Sequence, residues 1–157
     1  CIWDEKARAF FTGDTFGLSY RELDVDGRAF VFPTTTPTQF DPAAMHGSID
    51  RLLAFEPHAM YLTHFSRVTE TERLGADLHR LIDTMVAVAS AARGTGVPRH
   101  VEILAGLEQI VREEAARQNW ALSEDETLEL LGMDLELNAQ GLGVWLDSRR
   151  VAEAETA

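Results

Sequence analysis

The sequence predicts an α/β chain with a strand-rich first third and a helical remainder, and three observations predict it. Up to residue 33, apolar and aromatic residues cluster in short runs bounded by turn residues. Across residues 28–64 a stripe at helical spacing lies between two such runs, the strand–helix–strand order of a layered α/β domain. From residue 69 onward the apolar positions follow the helical period.

The first segment, Cys1-Ile-Trp-Asp-Glu-Lys-Ala-Arg-Ala-Phe-Phe11, reads as a hairpin with Asp4-Glu5-Lys6 as its turn. It opens on a cysteine and inside a hairpin, so the expectation is that the natural start lies upstream. Ala7 to Thr12 is the longer strand, ended by Gly13-Asp14-Thr15. The turn Asp24-Val-Asp-Gly27 leads into a second expected strand, Arg28 to Pro33. Pro37 disfavours regular structure over residues 34–40.

Asp41-Pro42 is a helix start, an acidic N-cap followed by proline at the first helical position. Met45, Ile49, Leu52 and Leu53 share one face, and Glu56-Pro57 ends the helix. Ala59 to Thr63 is a short buried strand, followed at once by His64.

Thr69-Glu-Thr-Glu72 has the capping-box pattern, with Leu74, Leu78, Leu81, Ile82, Met85 and Ala89 as the stripe behind it. Gly94 to Pro98 is a break. A third helix presents Ile103, Leu104, Leu107, Ile110 and Val111. Ser123-Glu-Asp-Glu126 is a second capping box, opening a short helix to about Leu131. A further helix is expected over 134–147, weakened by Gly141 and Gly143, and residues 151–157 are expected to fray.

Composition narrows the function. Of 157 residues, 45% are hydrophobic and 25% charged, which is globular and excludes wholesale disorder. No stretch reaches the ~20 consecutive apolar residues of a membrane span. No basic segment leads into an apolar block as in a signal peptide, and a cytoplasmic location is expected. Cys1 is the single cysteine, so there is no internal disulfide framework and no cysteine-based zinc knuckle. A net charge of -12 repels nucleic acid and anionic membranes; a metal cation or a small-molecule substrate suits this field better.

Two positions stand out as chemistry. Phe11-Thr-Gly-Asp14-Thr and Tyr61-Leu-Thr-His64 each put one metal-ligand residue directly after an apolar strand. In layered α/β folds ligand groups gather at strand ends. A hard carboxylate with a borderline imidazole suits Zn, Fe or Mn. Gly13 lets the backbone turn sharply beside the carboxylate. Tyr20, Arg21 and Arg67 follow these residues in loops and are candidates for contacting substrate. Thr63 and Ser66 are near enough in sequence to support the imidazole. His46 and His58 read as surface or helix-end residues, His79 lies near the edge of the Leu74–Ala89 stripe, His100 sits at the start of a helix, and Cys1 reads as structural.

The order Phe10-Phe-Thr-Gly-Asp-Thr-Phe16, a proline-containing loop, a helix, then Tyr61-Leu-Thr-His64 resembles the C-terminal half of the metallo-β-lactamase-fold hydrolases. The hairpin at Cys1–Phe11 is similar to the one that precedes the metal-bridging aspartate there. The resemblance covers roughly residues 1–92, and Glu136 to Leu146 is similar to the end of some members. It implies the second half of an αββα sandwich over residues 1–92 and a helical extension over 93–157. It also implies that Asp14 bridges two metal ions, zinc first with Fe or Mn as alternatives, and that His64 completes one ligand set. Both residues would then serve catalysis, by a metal-activated hydroxide acting on a small ester, thioester or lactone. The family's His-x-His-x-Asp-His motif has no counterpart in this sequence, so the partner implied first is the missing N-terminal half. A different class of reading is a non-enzymatic one: the helices from residue 69 form an interaction module, including a homodimer, and no metal binds.

Overall fold

The computed structural model describes residues 1–35, 40–64 and 67–155, with side chains as far as Val151. The expectation attached to Pro37, and the supporting role given to Ser66, lie outside the described residues. The architecture is mixed α/β: a four-stranded mixed sheet and four α-helices among the described residues. The strands are β1 (Ile2–Asp4), β2 (Ala9–Gly13), β3 (Ala59–Leu62) and β4 (Arg67–Val68), and the helices α1 (Pro42–Leu53), α2 (Thr71–Ala91), α3 (Gly96–Gln118) and α4 (Glu124–Glu155). The chain forms two compact units. One comprises Cys1–Thr34, Pro42–Ile82 and Asn119–Leu122; the other comprises Thr35–Asp41, Asp83–Gln118 and Ser123–Ala157.

The first unit holds the sheet, in the order β1-β2-β3-β4. The expected hairpin forms, but its turn occupies residues 5–8 and its second strand starts at Ala9, two residues later than the sequence predicts. Asp4 Oδ1 accepts the Ala7 N–H at 3.0 Å and closes the turn, which sets Ile2 opposite Phe11 and Trp3 opposite Phe10. Strand β2 pairs parallel with β3, and β3 antiparallel with β4. Side chains alternate across the sheet. Phe10 is therefore buried against Trp3 and Phe55, whereas Phe11 is 49% exposed and stacks on Tyr61. Ile2, opposite Phe11, is 69% exposed.

The stretch from Arg28 to Pro33 is not a strand. It makes only isolated bridges, Val25 with Arg28 and Leu18 with Phe32. Pro33 has no N–H with which to continue a ladder. Phe30, Val31 and Phe32 are all buried, so this stretch does not divide its side chains between a core face and a solvent face. Helix α1 opens at Pro42 and buries Ile49 and Leu52. Helix α2 starts at Thr71, one residue later than the Thr69 box predicts. Glu70 stands at φ 55 ahead of it, and the Thr71 hydroxyl donates to Pro57 O at 2.9 Å. Leu74, Leu78, Leu81 and Ile82 fill this unit's core from α2.

The second unit is helical. Helix α3 starts at Gly96, inside the expected break, because proline is tolerated in a first turn and Pro98 lies there. Ile103, Leu107, Ile110 and Val111 are buried as their spacing predicts. The two helices expected after Ser123 are one helix of 32 residues, continuous to Glu155 and through the segment expected to fray. Its glycines do not break it because one of them is a packing position. A Cβ on Gly141 would lie 2.2 Å from Thr35 O. Thr35 is fastened there by its N–H to Asn138 Oδ1 at 2.7 Å and by its hydroxyl to Asn138 O at 2.9 Å.

The second capping box is formed. Ser123 N–H donates to Glu126 Oε2 at 2.8 Å, and Glu126 N–H returns to Ser123 Oγ at 3.3 Å. Hydrogen bonds from the Ser123 side chain and backbone hold the Glu126 carboxyl below its ordinary value. Ser123→Ala is expected to cost about 1 kcal/mol in chemical denaturation, the usual loss for an N-cap serine. No helix among the described residues is long and apolar enough to cross a membrane.

Candidate functional site

The parallel pairing of β2 with β3 builds the site. Two neighbouring strands that run the same way end on the same edge of the sheet. Their registers, Ala9 with Ala59 and Phe11 with Tyr61, bring the residues that follow them together. An irregularity between Phe11 and Gly13 shortens the path of β3 relative to β2, so that Gly13 pairs with Leu62. Gly13 then turns the chain at φ 57, where a side chain is strained, and Asp14 follows. No atom lies within 4 Å of a Cβ built there, so the backbone angle calls for glycine and crowding does not.

Asp14 Oδ1 and His64 Nε2 come within 3.6 Å. Their side chains are 45% and 54% exposed, so the pair faces solvent. Both are held from the backbone. Asp14 O accepts the Gly17 N–H at 3.0 Å and the Thr34 hydroxyl at 3.2 Å, and His64 O accepts the Ser19 N–H at 3.3 Å. That last bond fixes the Ser19–Tyr20–Arg21 segment beside the histidine. Thr63 is exposed, and no hydrogen bond among the described residues joins it to the imidazole.

The other three candidates are placed unequally. Tyr20 caps a short 3-10 turn over Arg21–Leu23. Arg21 is occupied locally, donating to Ser19 Oγ at 2.7 Å and pairing with Asp24 at 3.0 Å. Burial raises the Asp24 carboxyl above its ordinary range, Arg21 opposes that rise, and Glu22 adds to it. Arg67 is exposed on β4, across from Tyr61.

Two further features escape a linear reading. The hairpin register carries Cys1 to the turn that holds Asp14, where its thiol donates to Thr12 O at 3.2 Å and lies 3.6 Å from Thr15 Oγ1. His46, read as a surface or helix-end residue, and His79, at the edge of the α2 stripe, stand together. Their Nδ1 atoms meet at 2.5 Å, and His79 Nε2 lies 3.0 Å from Asp50 Oδ1. The four-residue spacing of His46 and Asp50 on α1 was the available sign. His79 comes from α2, and no local pattern announces it. His100 pairs with Glu136 at 3.1 Å in the second unit.

Two donor atoms 3.6 Å apart have the spacing that one metal ion would require, since bonds of ~2.0–2.2 Å in a tetrahedral shell separate donors by roughly 3–4 Å. Among the described residues no group of three or more His, Cys, Asp or Glu could hold an ion alone. Compared with known proteins, the chain matches no family model, no curated protein and no solved structure.

Proposed function

We propose that this chain is the C-terminal portion of a metallo-β-lactamase-fold hydrolase, acting on a small ester, thioester or lactone. The observation that carries the reading is the approach of Asp14 to His64 at the C-terminal ends of two parallel strands. In this reading residues 1–92 are half of an αββα sandwich and 93–157 an added helical region. Asp14 and His64 lend two ligands to a dinuclear centre, and residues outside this chain supply the others. Zinc fits the donor pair best, with Fe or Mn as alternatives. The exposed Ile2 and Phe11 give the missing half an apolar sheet face to cover.

When bound, paired cations supply a hydroxide near neutral pH and a positive site for the developing oxyanion. The chain's own share is to hold the ligands. The carboxylate of Asp14 offsets part of the cationic charge, and a neutral His64 adds a nitrogen ligand without adding charge. Tyr20, Arg21 and Arg67 remain the substrate-contacting candidates, and Arg21 is paired with Asp24.

Zinc titration tests this reading. The isolated chain should bind zinc weakly and retain no stoichiometric metal after dialysis, because two ligands make a poor shell. Asp14→Asn and His64→Ala should each abolish even that binding. A polypeptide extended upstream should hold two ions and hydrolyse esters or lactones. Zinc binding unchanged in His64→Ala, or an upstream sequence without a His-x-His-x-Asp-His run, would overturn the assignment.

A further inference from the structure

Within the sheet-bearing unit, helix α1 meets helix α2 through a short row of side chains. Leu53 of α1 lies over Gly75 of α2, where an added Cβ would stand 2.5 Å from Leu53 Cδ1. One turn further along α2, His79 meets both Asp50 and His46 of α1. The Nδ1 atoms of the two histidines are 2.5 Å apart, their ring centroids 4.8 Å apart and their planes 12° apart. That centroid distance is the nitrogen separation plus the distance from each nitrogen to its own ring centre. The rings therefore meet edge to edge, nearly in one plane, with the two nitrogens aimed at each other.

Such a gap holds one hydrogen. With none, two lone pairs oppose; with two, the N–H groups collide. Asp50 fixes the arrangement, because its Oδ1 accepts from His79 Nε2 at 3.0 Å. In neutral His79 the proton thus sits on Nε2, Nδ1 is an acceptor, and His46 Nδ1–H supplies the shared hydrogen. One added proton keeps the contact, since one hydrogen still lies between the rings. A second added proton puts a hydrogen on all four ring nitrogens, and the Nδ1 contact must break.

We propose that His46 and His79 form a one-proton clamp between α1 and α2, which opens in mild acid when the second ring becomes charged. The charged groups near the pair sit on both helices. On α1, Asp50 favours the first proton, although at 69% exposure its pull is screened, and Arg51 donates to Gly47 O. On α2, Arg80 adjoins His79 and pairs with Asp77 at 3.1 Å, and Asp83 stands one turn beyond His79. The carboxylates ease the arrival of positive charge but do not enlarge the gap between the two nitrogens. They set the pH at which the clamp opens; the obstacle to the second proton lies within the pair.

The direction follows from counting protons. Unfolded, both histidines charge as pH falls through about 6.5. Folded, the closed pair takes only one of those two protons. In acid the unfolded chain therefore binds one proton more, so stability falls as pH falls. The contribution of the clamp is whole above the histidine range and is lost below it.

The test is urea unfolding of the full chain in a chelating buffer, from about pH 7.5 to about pH 5, wild type beside His46→Gln. Glutamine keeps a donor and an acceptor at this position and removes one titrating ring. The folding equilibrium constant of the wild type relative to the variant should be level above about pH 7. Below about pH 6 it should fall by nearly tenfold per pH unit, the slope of one proton. Amide exchange in α1, compared at equal pH, should quicken in acid in the wild type and not in the variant. A ratio independent of pH, or one that grows in acid, would overturn the proposal. Should His46→Gln not fold, two-bond proton–nitrogen NMR of the wild-type imidazoles decides instead. The clamp requires His79 protonated at Nε2 near neutrality; two fully charged rings in a folded chain whose α1 exchange is unchanged would refute it. Neither variant position is Asp14 or His64, and the chelator removes metal, so this result stands apart from the zinc titration.

Discussion

Gly141→Ala is expected to destabilise the protein by about 3 kcal/mol, although glycine-to-alanine inside a helix ordinarily gains up to ~1 kcal/mol. The sign reverses because of what faces this position. The added Cβ would lie 2.2 Å from Thr35 O and 2.7 Å from Thr35 Oγ1. A backbone carbonyl cannot rotate aside as a side chain can. Thr35 is also tied by two hydrogen bonds to Asn138, one turn earlier on the same helix. Relief of the clash therefore breaks buried hydrogen bonds or displaces α4, and burying an unpaired polar group costs about 1–3 kcal/mol by itself. Gly132→Ala is the internal control. It lies in the same helix with no atom within 4 Å of a Cβ built there. It should gain roughly 0.5–1 kcal/mol. Chemical denaturation of the two variants side by side gives the comparison. Equal and favourable shifts in both would refute the contact.

The same position shows where a linear reading reached its limit. Local pattern made the capping box at Ser123, the stripe on α2 and the Asp41-Pro42 helix start legible, because each is decided within a few residues. Pattern also divided α4 in two at residues 132–133, where Gly132 falls, and weakened its second part at Gly141 and Gly143, since glycine counts against a helix locally. The reason for glycine at 141 lies 106 positions away at Thr35 and leaves no trace in the neighbouring sequence. Arg28 to Pro33 failed the other way. Its apolar run looks like a strand, but a strand needs a partner along its length, and Leu18 offers only one bridge. The site was legible for a topological reason. Asp14 and His64 each follow an apolar strand, and only parallel pairing of those strands turns two similar endings into neighbours. His79 had no such sign, because its partners His46 and Asp50 sit on another helix.

A second large effect is expected at Arg99, whose guanidinium is nearly enclosed within the helical unit. Its side chain is 5% exposed, and it grips Asp147 through two bonds of 2.8 Å, one from each terminal nitrogen. Gly143 O accepts a third bond at 3.1 Å. The carboxylate itself is 58% exposed, so the pair is anchored from one side only. Removing Asp147 leaves a buried cation with one acceptor, and stranding a charge in this way costs about 3 kcal/mol. Arg99→Met with Asp147→Ala removes the charge together with its partner and should be less destabilised than Asp147→Ala alone. Acid offers a check without mutation at Arg99. The hydrogen bonds from Arg99 lower the Asp147 carboxyl below its ordinary value, burial opposes this, and the charges of Arg99 and Arg150 add to the lowering. A carboxyl lowered in the folded state stabilises fully above its unfolded value and loses that contribution as pH falls through the folded one. The advantage of the wild type over Asp147→Ala should therefore be level near neutrality and shrink on acidification below the ordinary aspartate range. An advantage that grows in acid, or a double variant less stable than Asp147→Ala, would show that the carboxylate does not hold Arg99 in place.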